Sequence, residues 1–242
     1  MKRARRPVCL LTVWFVANVL IVGLVSALAG GWYLGWTSMP LRITAELGLI
    51  QLPNLLLPVW VLRRDGARSW GDLREALGWR WTGRRTLGAG IGASVLYFGL
   101  NAGGNGLLGA SIPYYLPGEG GIFADRLLVL LGLLLFLLVF VGLTTVAEET
   151  MFRGLIQTQL AAAYGAPVGI LGAALLFGLR HLPADLFYAS VWNATPQMWL
   201  SRQLQLYGGA LLFGLARHVG RSTYASWMMH VFIFGSILFA SG

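Results

Sequence analysis

Apolar segments long enough to cross a bilayer recur along this chain, and they restrict its fold more than any other feature. About 20 apolar helical residues span the roughly 30 Å of hydrocarbon in a membrane. Four segments reach that length, and three shorter or more interrupted ones follow: 8–29, 43–62, 87–110, 127–147, 168–180, 203–216 and 224–240. The pattern predicts an all-α, polytopic transmembrane bundle of about seven to eight helices. We expect residues 1–242 to form a single integral membrane domain.

The composition supports a membrane location. The chain is 57% hydrophobic and 11% charged, with a mean hydropathy of +0.69. This is more apolar surface than 242 residues can bury in one water-soluble core, so most of it must face lipid. The basic residues that give the net charge of +9 lie mainly in the connections between segments. This distribution indicates membrane topology, and we predict no nucleic-acid partner.

Basic residues cluster in alternate connections between the apolar segments. One set contains Lys2, Arg3, Arg5, Arg6, Arg63, Arg64, Arg68, Arg74, Arg80, Arg84, Arg85, Arg217 and Arg221. The opposite set contains only Arg42, Arg126, Arg180 and Arg202. The positive-inside rule then predicts a cytoplasmic N-terminus, seven spans and an external C-terminus, in what we interpret as a bacterial cytoplasmic membrane. An eighth span or a re-entrant segment would reverse the C-terminal end.

The N-terminal segment resembles a secretory signal, with a basic start and a small-residue sequence at 27–29. Its apolar stretch is longer than a usual signal core, so we interpret it as an uncleaved first span. Cys9 is the only cysteine, which excludes an internal disulfide or a cysteine-based metal site.

Three local patterns make further predictions. Gly88 and Gly92 have the spacing that permits close helix contact in membranes. Residues 101–121 are rich in Gly, Asn and Pro and predict an external loop. Residues 63–85 predict an amphipathic segment on anionic lipid headgroups, or else a solvated loop; their tryptophans are Trp70, Trp79 and Trp81.

Two adjacent carboxylates, Glu148 and Glu149, follow the fourth apolar segment. A carboxylate in or near a bilayer is costly unless it is paired or used in function. Arg153 is four residues after Glu149, so the two can form an ion pair on one helix face. Glu148 points to a different face of the helix, and its own helix offers it no partner nearby. We therefore expect a raised pKa at Glu148, as a general base requires.

Two of the three histidines lie in apolar segments, His181 at the end of the fifth and His230 within the seventh. Intramembrane histidines are rare and usually face a cavity or a polar partner. Either one alone could serve as a helix–helix hydrogen bond, but together with the glutamates they predict a polar site. His218 lies in an arginine-flanked connection and is interpreted as a solvated residue.

These residues resemble the CPBP family of intramembrane glutamic endopeptidases, the CAAX protease and bacteriocin-processing, or Abi-like, group. AEETMFRG carries the E-E-x-x-x-R pattern and FGLRH carries F-x-x-x-H, through Phe177 and His181. His230 stands where the third motif begins. The resemblance covers roughly residues 127–235, which it implies are the catalytic core.

The resemblance also implies the roles of individual residues. Glu148 and His181 would activate a water that attacks the scissile carbonyl, while Glu149 and Arg153 would support the site. His230 would orient the water or stabilise the oxyanion.

The third motif departs from the family pattern. It normally ends in Asn or Asp four residues after its histidine, and this chain has Phe234 there. The usual oxyanion donor is therefore in doubt, and a non-catalytic descendant that binds a membrane partner is one alternative.

The sequence therefore predicts an intramembrane endopeptidase that cleaves a peptide or membrane-protein substrate and needs no cofactor or metal. A transporter with a Glu/His proton relay is another alternative. A zinc protease is a variant of the first reading, but no H-E-x-x-H spacing supports it.

Overall fold

The computed structural model of this chain describes residues 14–21, 24, 50–109, 137–191 and 193–240, and all regular structure there is helical. The helices are α1 (14–21, with 24), α2 (Leu52–Arg64), α3 (Trp70–Ala76), α4 (Arg84–Leu108), α5 (137–164), α6 (Ala166–Val191), α7 (Pro196–Gly220) and α8 (Thr223–Ala240). The predicted all-α bundle is confirmed. Cys9, the small-residue sequence at 27–29 and the predicted loop from residue 110 onward lie outside the described residues.

Helix α5 alternates between two helical forms. Wide π-helical turns at Leu137–Thr144 and Glu149–Ile156 flank a short α-helical piece at Thr145–Glu148, and Gln157–Tyr164 is again α-helical. The sequence prediction ended the apolar span at residue 147, although it placed the glutamates that follow on a helix. That boundary is wrong because the apolar residues after the glutamates continue the core: Met151, Phe152, Leu155 and Ile156 are all buried.

Two other predicted boundaries are also wrong. Helix α4 extends to Leu108, in agreement with the predicted apolar span 87–110, so residues 101–108 are helical and the predicted start of the loop at residue 101 is wrong. Helix α6 continues through Pro183 to Val191, although the apolar pattern ends at Arg180. In both cases polar residues interrupt the hydropathy of the segment, but they bind partners on neighbouring helices and the helix persists.

Tight turns join the last four helices. Gly165, with φ of +91°, links α5 to α6, and Arg221, with φ of +49°, links α7 to α8. Thr195 caps the start of α7, because its side chain accepts a hydrogen bond from the backbone N–H of Met198.

Polar side chains occupy the interior of the bundle, and many large apolar ones cover its outside. Buried polar residues include Asn18, Gln51, Asn54, Thr86, Ser94, Thr145, Gln157, Ser201 and Gln205. Exposed apolar residues include Ile91, Val95, Leu96, Val168, Leu171, Leu175, Leu200 and Leu204. This distribution suits a bundle whose solvent is lipid. Within the described part of the chain, Ala166–Leu186 is the one helical stretch both long and apolar enough to cross a membrane.

The two arginine-rich connections, 63–85 and 217–222, meet at one end of the bundle. The Arg80 Nε donates to the Arg221 carbonyl at 3.1 Å, and the Thr82 hydroxyl donates to the Gly220 carbonyl at 2.8 Å. The charge pattern predicts that these connections share one side of the membrane, and their direct contact agrees with that prediction.

Residues 63–85 combine a short capped helix with irregular chain. In α3, Trp70 is exposed and Leu73 is buried. The Trp79 ring turns inward and donates a hydrogen bond to the Thr150 hydroxyl on α5 at 3.0 Å. This part of the chain therefore lies against the bundle, as an amphipathic segment does, and it is not a free loop.

The predicted glycine contact in α4 uses a different residue. At Gly88 and Gly92, no atom of the described residues lies within 4 Å of where a Cβ would be. Gly90, between them, faces α8, where a Cβ would lie 3.0 Å from the Ala225 carbonyl oxygen. Among the described residues the close packing is thus at Gly90 and not at Gly88 or Gly92, because sequence spacing does not show which helix face meets a given neighbour.

Candidate active site

The two glutamates lie in α5 where it changes from α-helix to π-helix. Glu148 is 4% exposed, and Glu149 and Arg153 are fully buried. Single-turn π-helical insertions are frequent at functional sites because they alter the direction of side chains along a helix. Three ionisable side chains are thus held inside the bundle within two helical turns.

Glu149 and Arg153 form the predicted ion pair, with Arg153 Nη1 at 3.3 Å from Glu149 Oε1. The guanidinium lies 4.5 Å from the ring centroids of both Phe177 and Phe213, so it packs between a ring from α6 and a ring from α7. Its Nη2 donates to the Ala210 carbonyl of α7 at 3.4 Å. Arg153 therefore connects three helices behind the glutamates.

His230 of α8 lies between the two glutamates. Its Nδ1 is 3.0 Å from Glu149 Oε1, and its Nε2 is 3.7 Å from Glu148 Oε2. Because an ionised carboxylate only accepts hydrogen bonds, the contact to Glu149 places a proton on Nδ1. Glu149 thus fixes the orientation of an imidazole whose other nitrogen faces Glu148.

Aromatic rings hold the other faces of His230. The ring centroid of Phe213 is 4.6 Å away, and that of Phe234 is 5.3 Å away at an interplanar angle of 23°. Phe234, four residues after His230, therefore lies on the same face of α8. It stacks on the imidazole with a ring that offers no hydrogen-bond donor.

Glu148 is not unpaired. Its Oε1 forms an ion pair with Arg180 Nη2 of α6 and accepts a hydrogen bond from Gln51 Nε2 at 3.4 Å. The sequence prediction of an unpartnered carboxylate is wrong because spacing along one helix cannot detect a cation 32 residues away on another. The expected rise in the pKa of Glu148 depended on the absence of a partner, so its basis is removed as well.

His181 reaches Glu148 only through Arg180. Its Nδ1 is 2.8 Å from the Phe177 carbonyl and so carries a proton, which leaves Nε2 to accept from Arg180 Nη2 at 3.3 Å. Arg180 is 3% exposed. Its predicted place in an external connection is wrong, because α6 continues past it and Glu148 compensates its buried charge.

Two further site residues come from the start of α2. Gln51 and Asn54 are buried, and Asn54 Nδ2 donates to Gln51 Oε1 at 3.2 Å. The amide group of Gln51 thus joins Asn54 to Glu148. The sequence signal was available, because polar side chains inside an apolar segment mark functional positions in membranes.

A shallow aromatic depression of about 300 Å³ lies beside the glutamates, lined by Arg74, Trp79, Val146, Tyr224 and Trp227. The Trp227 Nε1 donates to the Thr145 hydroxyl at 2.9 Å, one turn before Glu148. The depression is therefore adjacent to the charged cluster, although neither glutamate forms part of its wall. Within the described ranges, no group of three or more His, Cys, Asp or Glu side chains is arranged to hold a metal ion.

Residues 130–234 match the model of a protein family described as Type II CAAX prenyl endopeptidase Rce1-like. The match confirms the resemblance to the CPBP and CAAX protease family, which is a family of membrane-embedded, helical proteases. Comparisons with curated proteins and with solved structures found no match.

Proposed function

We propose that this protein is an intramembrane endopeptidase in which Glu148 activates the attacking water. One observation carries the proposal. Glu148, His181 and His230 come from three helices and lie around one buried position. That position falls within the residues that match the protease family.

Peptide hydrolysis needs a base for the water and a proton source for the leaving amine. Arg180 engages Oε1 of Glu148, whereas Oε2 faces His230 and is the oxygen suited to accept the proton. His181 Nε2 accepts from Arg180 Nη2 beside the same carboxylate. When Arg180 turns from this nitrogen toward the substrate, its single lone pair can accept the second hydrogen of the water and orient it. Glu148 later returns its proton to the amine.

Glu149 and Arg153 act as supports for this chemistry. Glu149 accepts the Nδ1–H of His230 and so directs Nε2 toward Glu148. Arg153 compensates the charge of Glu149, which would otherwise be buried without a counterion.

The proposal also covers the catalytic core, the class of substrate and the membrane topology. We place the catalytic core at residues 127–235 of a single membrane domain, with a peptide or membrane-protein substrate and no cofactor. We place the chain in a bacterial cytoplasmic membrane with its N-terminus in the cytoplasm. Reporter fusions test the topology: one at the N-terminus should be cytoplasmic and one after Gly242 external, and a cytoplasmic C-terminal reporter would require an additional span.

A non-catalytic, partner-binding member of the fold is the second candidate. Two observations favour it: Phe234 replaces the usual donor, and Glu148 is already paired with Arg180. A base held in an ion pair is less available for a proton, so hydrolysis requires this pair to loosen during the reaction.

The deciding experiment compares membrane and secreted peptides from cells that express the wild type or Glu148→Gln. The variant keeps the shape of the side chain and removes its basicity. Glu75→Gln is the matched control, because Glu75 is exposed in α3. The proposal expects peptides that are present with wild type and Glu75→Gln but absent with Glu148→Gln. Identical peptides from all three would select the non-catalytic candidate.

A further inference from the structure

Arg180 has more hydrogen-bonding capacity than its neighbours use. Its Nη2 contacts both Glu148 and His181. Its Nε, also buried, has no hydrogen-bond partner among the described residues. An unsatisfied buried donor costs free energy, and in native proteins it often marks a ligand or a catalytic role.

Position 234, where the family usually has an oxyanion donor, provides no hydrogen-bond donor in this chain. Position 234 carries a phenylalanine ring stacked on His230, so it cannot stabilise negative charge on a substrate oxygen. Attack on a peptide carbonyl creates such a charge, and fixed donors aimed at it contribute a large part of catalysis in hydrolases.

We propose that Arg180 is the oxyanion-binding residue of this site and takes the role that Phe234 cannot fill. The inference rests on the proposed peptidase function. A guanidinium presents five N–H donors in a planar fork, which suits an oxyanion. Its plane is constrained by Phe152 and Phe177, whose ring centroids lie 5.4 and 5.6 Å from Arg180 Cζ. The guanidinium is thus held in place before substrate arrives.

Charge balance during attack supports this role. The water oxygen forms a bond to the carbonyl carbon, the carbonyl π electrons move to its oxygen, and one water proton passes to Glu148. Glu148 becomes neutral as the substrate oxygen becomes negative. The anionic partner of Arg180 therefore changes from Glu148 to the oxyanion without creating an unpaired charge in a buried site.

Collapse of the tetrahedral intermediate reverses the exchange. The carbon–nitrogen bond breaks, the amine leaves with the proton from Glu148, and Arg180 returns to the regenerated carboxylate. The ion pair seen between Arg180 and Glu148 is then the resting state of the cycle. It explains how a paired carboxylate can still serve as the base.

The first test uses purified protein in detergent with a substrate peptide found in the peptide comparison above. Arg180→Gln should lower kcat by about 10² to 10³ and leave KM within about threefold, because the lost donor acts in the transition state. Arg202→Gln is the control, since it removes another ion pair of α6, the one between Asp185 and Arg202 of α7. The control should retain turnover.

A phosphinate analogue of the substrate peptide, which carries a tetrahedral anion, separates catalysis from structure. Arg180→Gln should lose about 10²-fold or more in affinity for the phosphinate and keep its affinity for the uncleaved peptide. Equal losses for both ligands would overturn the oxyanion role. If Arg180→Gln does not fold, Arg180→Lys replaces it: the charge is kept, the fork is lost, and a smaller selective loss for the phosphinate is expected.

Rescue provides an independent test. Phe234→Asn places an amide beside the site, so it should raise kcat by about tenfold or more in the Arg180→Gln background and by less than about threefold in wild type. A full tenfold gain in wild type would mean that the donor position is vacant and would overturn the proposal. The proposal would also be overturned if both Arg180→Gln and the Arg180→Gln, Phe234→Asn double variant cleaved the peptide at the wild-type rate. Unimpaired cleavage by Glu148→Gln would instead refute the proposed function at another point, the role of Glu148 as the base.

Discussion

Arginines occupy two very different regions of this molecule. In the buried cluster, Arg153 and Arg180 each pair with one glutamate. At the arginine-rich end of the bundle, side chains donate to backbone carbonyls instead, as Arg63 does to Ala67 at 3.4 Å and Arg80 does to Arg221 at 3.1 Å.

The difference reflects the solvent of each region. A buried charge has lost its hydration, so a partial charge on a carbonyl does not compensate it and a full counterion is required. An exposed arginine keeps water around its guanidinium, and its contacts contribute little. The same residue type should therefore respond very differently to substitution in the two regions.

The largest contrast should appear in activity. His181→Ala is expected to reduce peptide cleavage by at least about 100-fold, because the residue proposed to orient the water is lost. His218→Ala makes the same change at an exposed position and should leave cleavage unchanged. Rates of purified proteins in detergent measure both. Equal rates for His181→Ala and wild type would remove His181 from the mechanism.

Stability should show the next largest contrast. Arg153→Met leaves Glu149 buried without its counterion and is expected to cost roughly 3 to 5 kcal/mol in the free energy of unfolding. Arg80→Met should cost less than about 1 kcal/mol. Denaturant unfolding in detergent compares them.

A double variant sharpens the same measurement. Glu149→Gln combined with Arg153→Met should recover part of the loss, because neither charge is then left alone. If Arg153→Met is as stable as Arg80→Met, the buried ion pair contributes far less than its burial suggests.

The effect of a glycine-to-alanine substitution on stability should have opposite signs in the interior and on the lipid-facing surface. A Cβ on Gly154 would lie 3.1 Å from the Leu77 carbonyl oxygen, so Gly154→Ala should cost about 1 to 3 kcal/mol by overpacking. A Cβ on Gly88 of α4 would meet no atom of the described part of the chain within 4 Å, so Gly88→Ala should stabilise the protein by up to about 1 kcal/mol. Melting temperatures of the two variants test this, and a destabilising Gly88→Ala would indicate a partner on that face.

The smallest effect should come from the exposed end, at Asp72. Its carboxylate accepts hydrogen bonds from the backbone N–H groups of Arg68 and Ser69, at 2.7 and 2.8 Å, and these lower the pKa of Asp72 below its ordinary value. A lowered folded-state pKa contributes stability above the unfolded-state value, near pH 4, and this contribution is lost as the pH falls through the folded-state pKa. The difference in melting temperature between wild type and Asp72→Ala should therefore be larger at pH 7 than at pH 3. A difference independent of pH would leave the carboxylate charge without a role in capping α3.

Sequence by itself determined the class of fold, the resemblance to a protease family and several residues of the buried cluster. Hydropathy predicts helices because a lipid-facing backbone must satisfy its own hydrogen bonds. The Glu149–Arg153 pair follows from helical spacing, since both partners lie on one helix. The two motifs that contain Glu148 and His181 are short and local, so they can be recognised without a structure.

Only the tertiary structure decided what surrounds Glu148. Arg180 and Gln51 reach it from α6 and α2, and no periodicity within one segment relates helices so far apart in the chain. Hydropathy assigned Arg180 to a connection because a charge lowers the local average. Its burial depends on a counterion supplied by another helix, and such pairing is a property of the packed bundle rather than of any one segment.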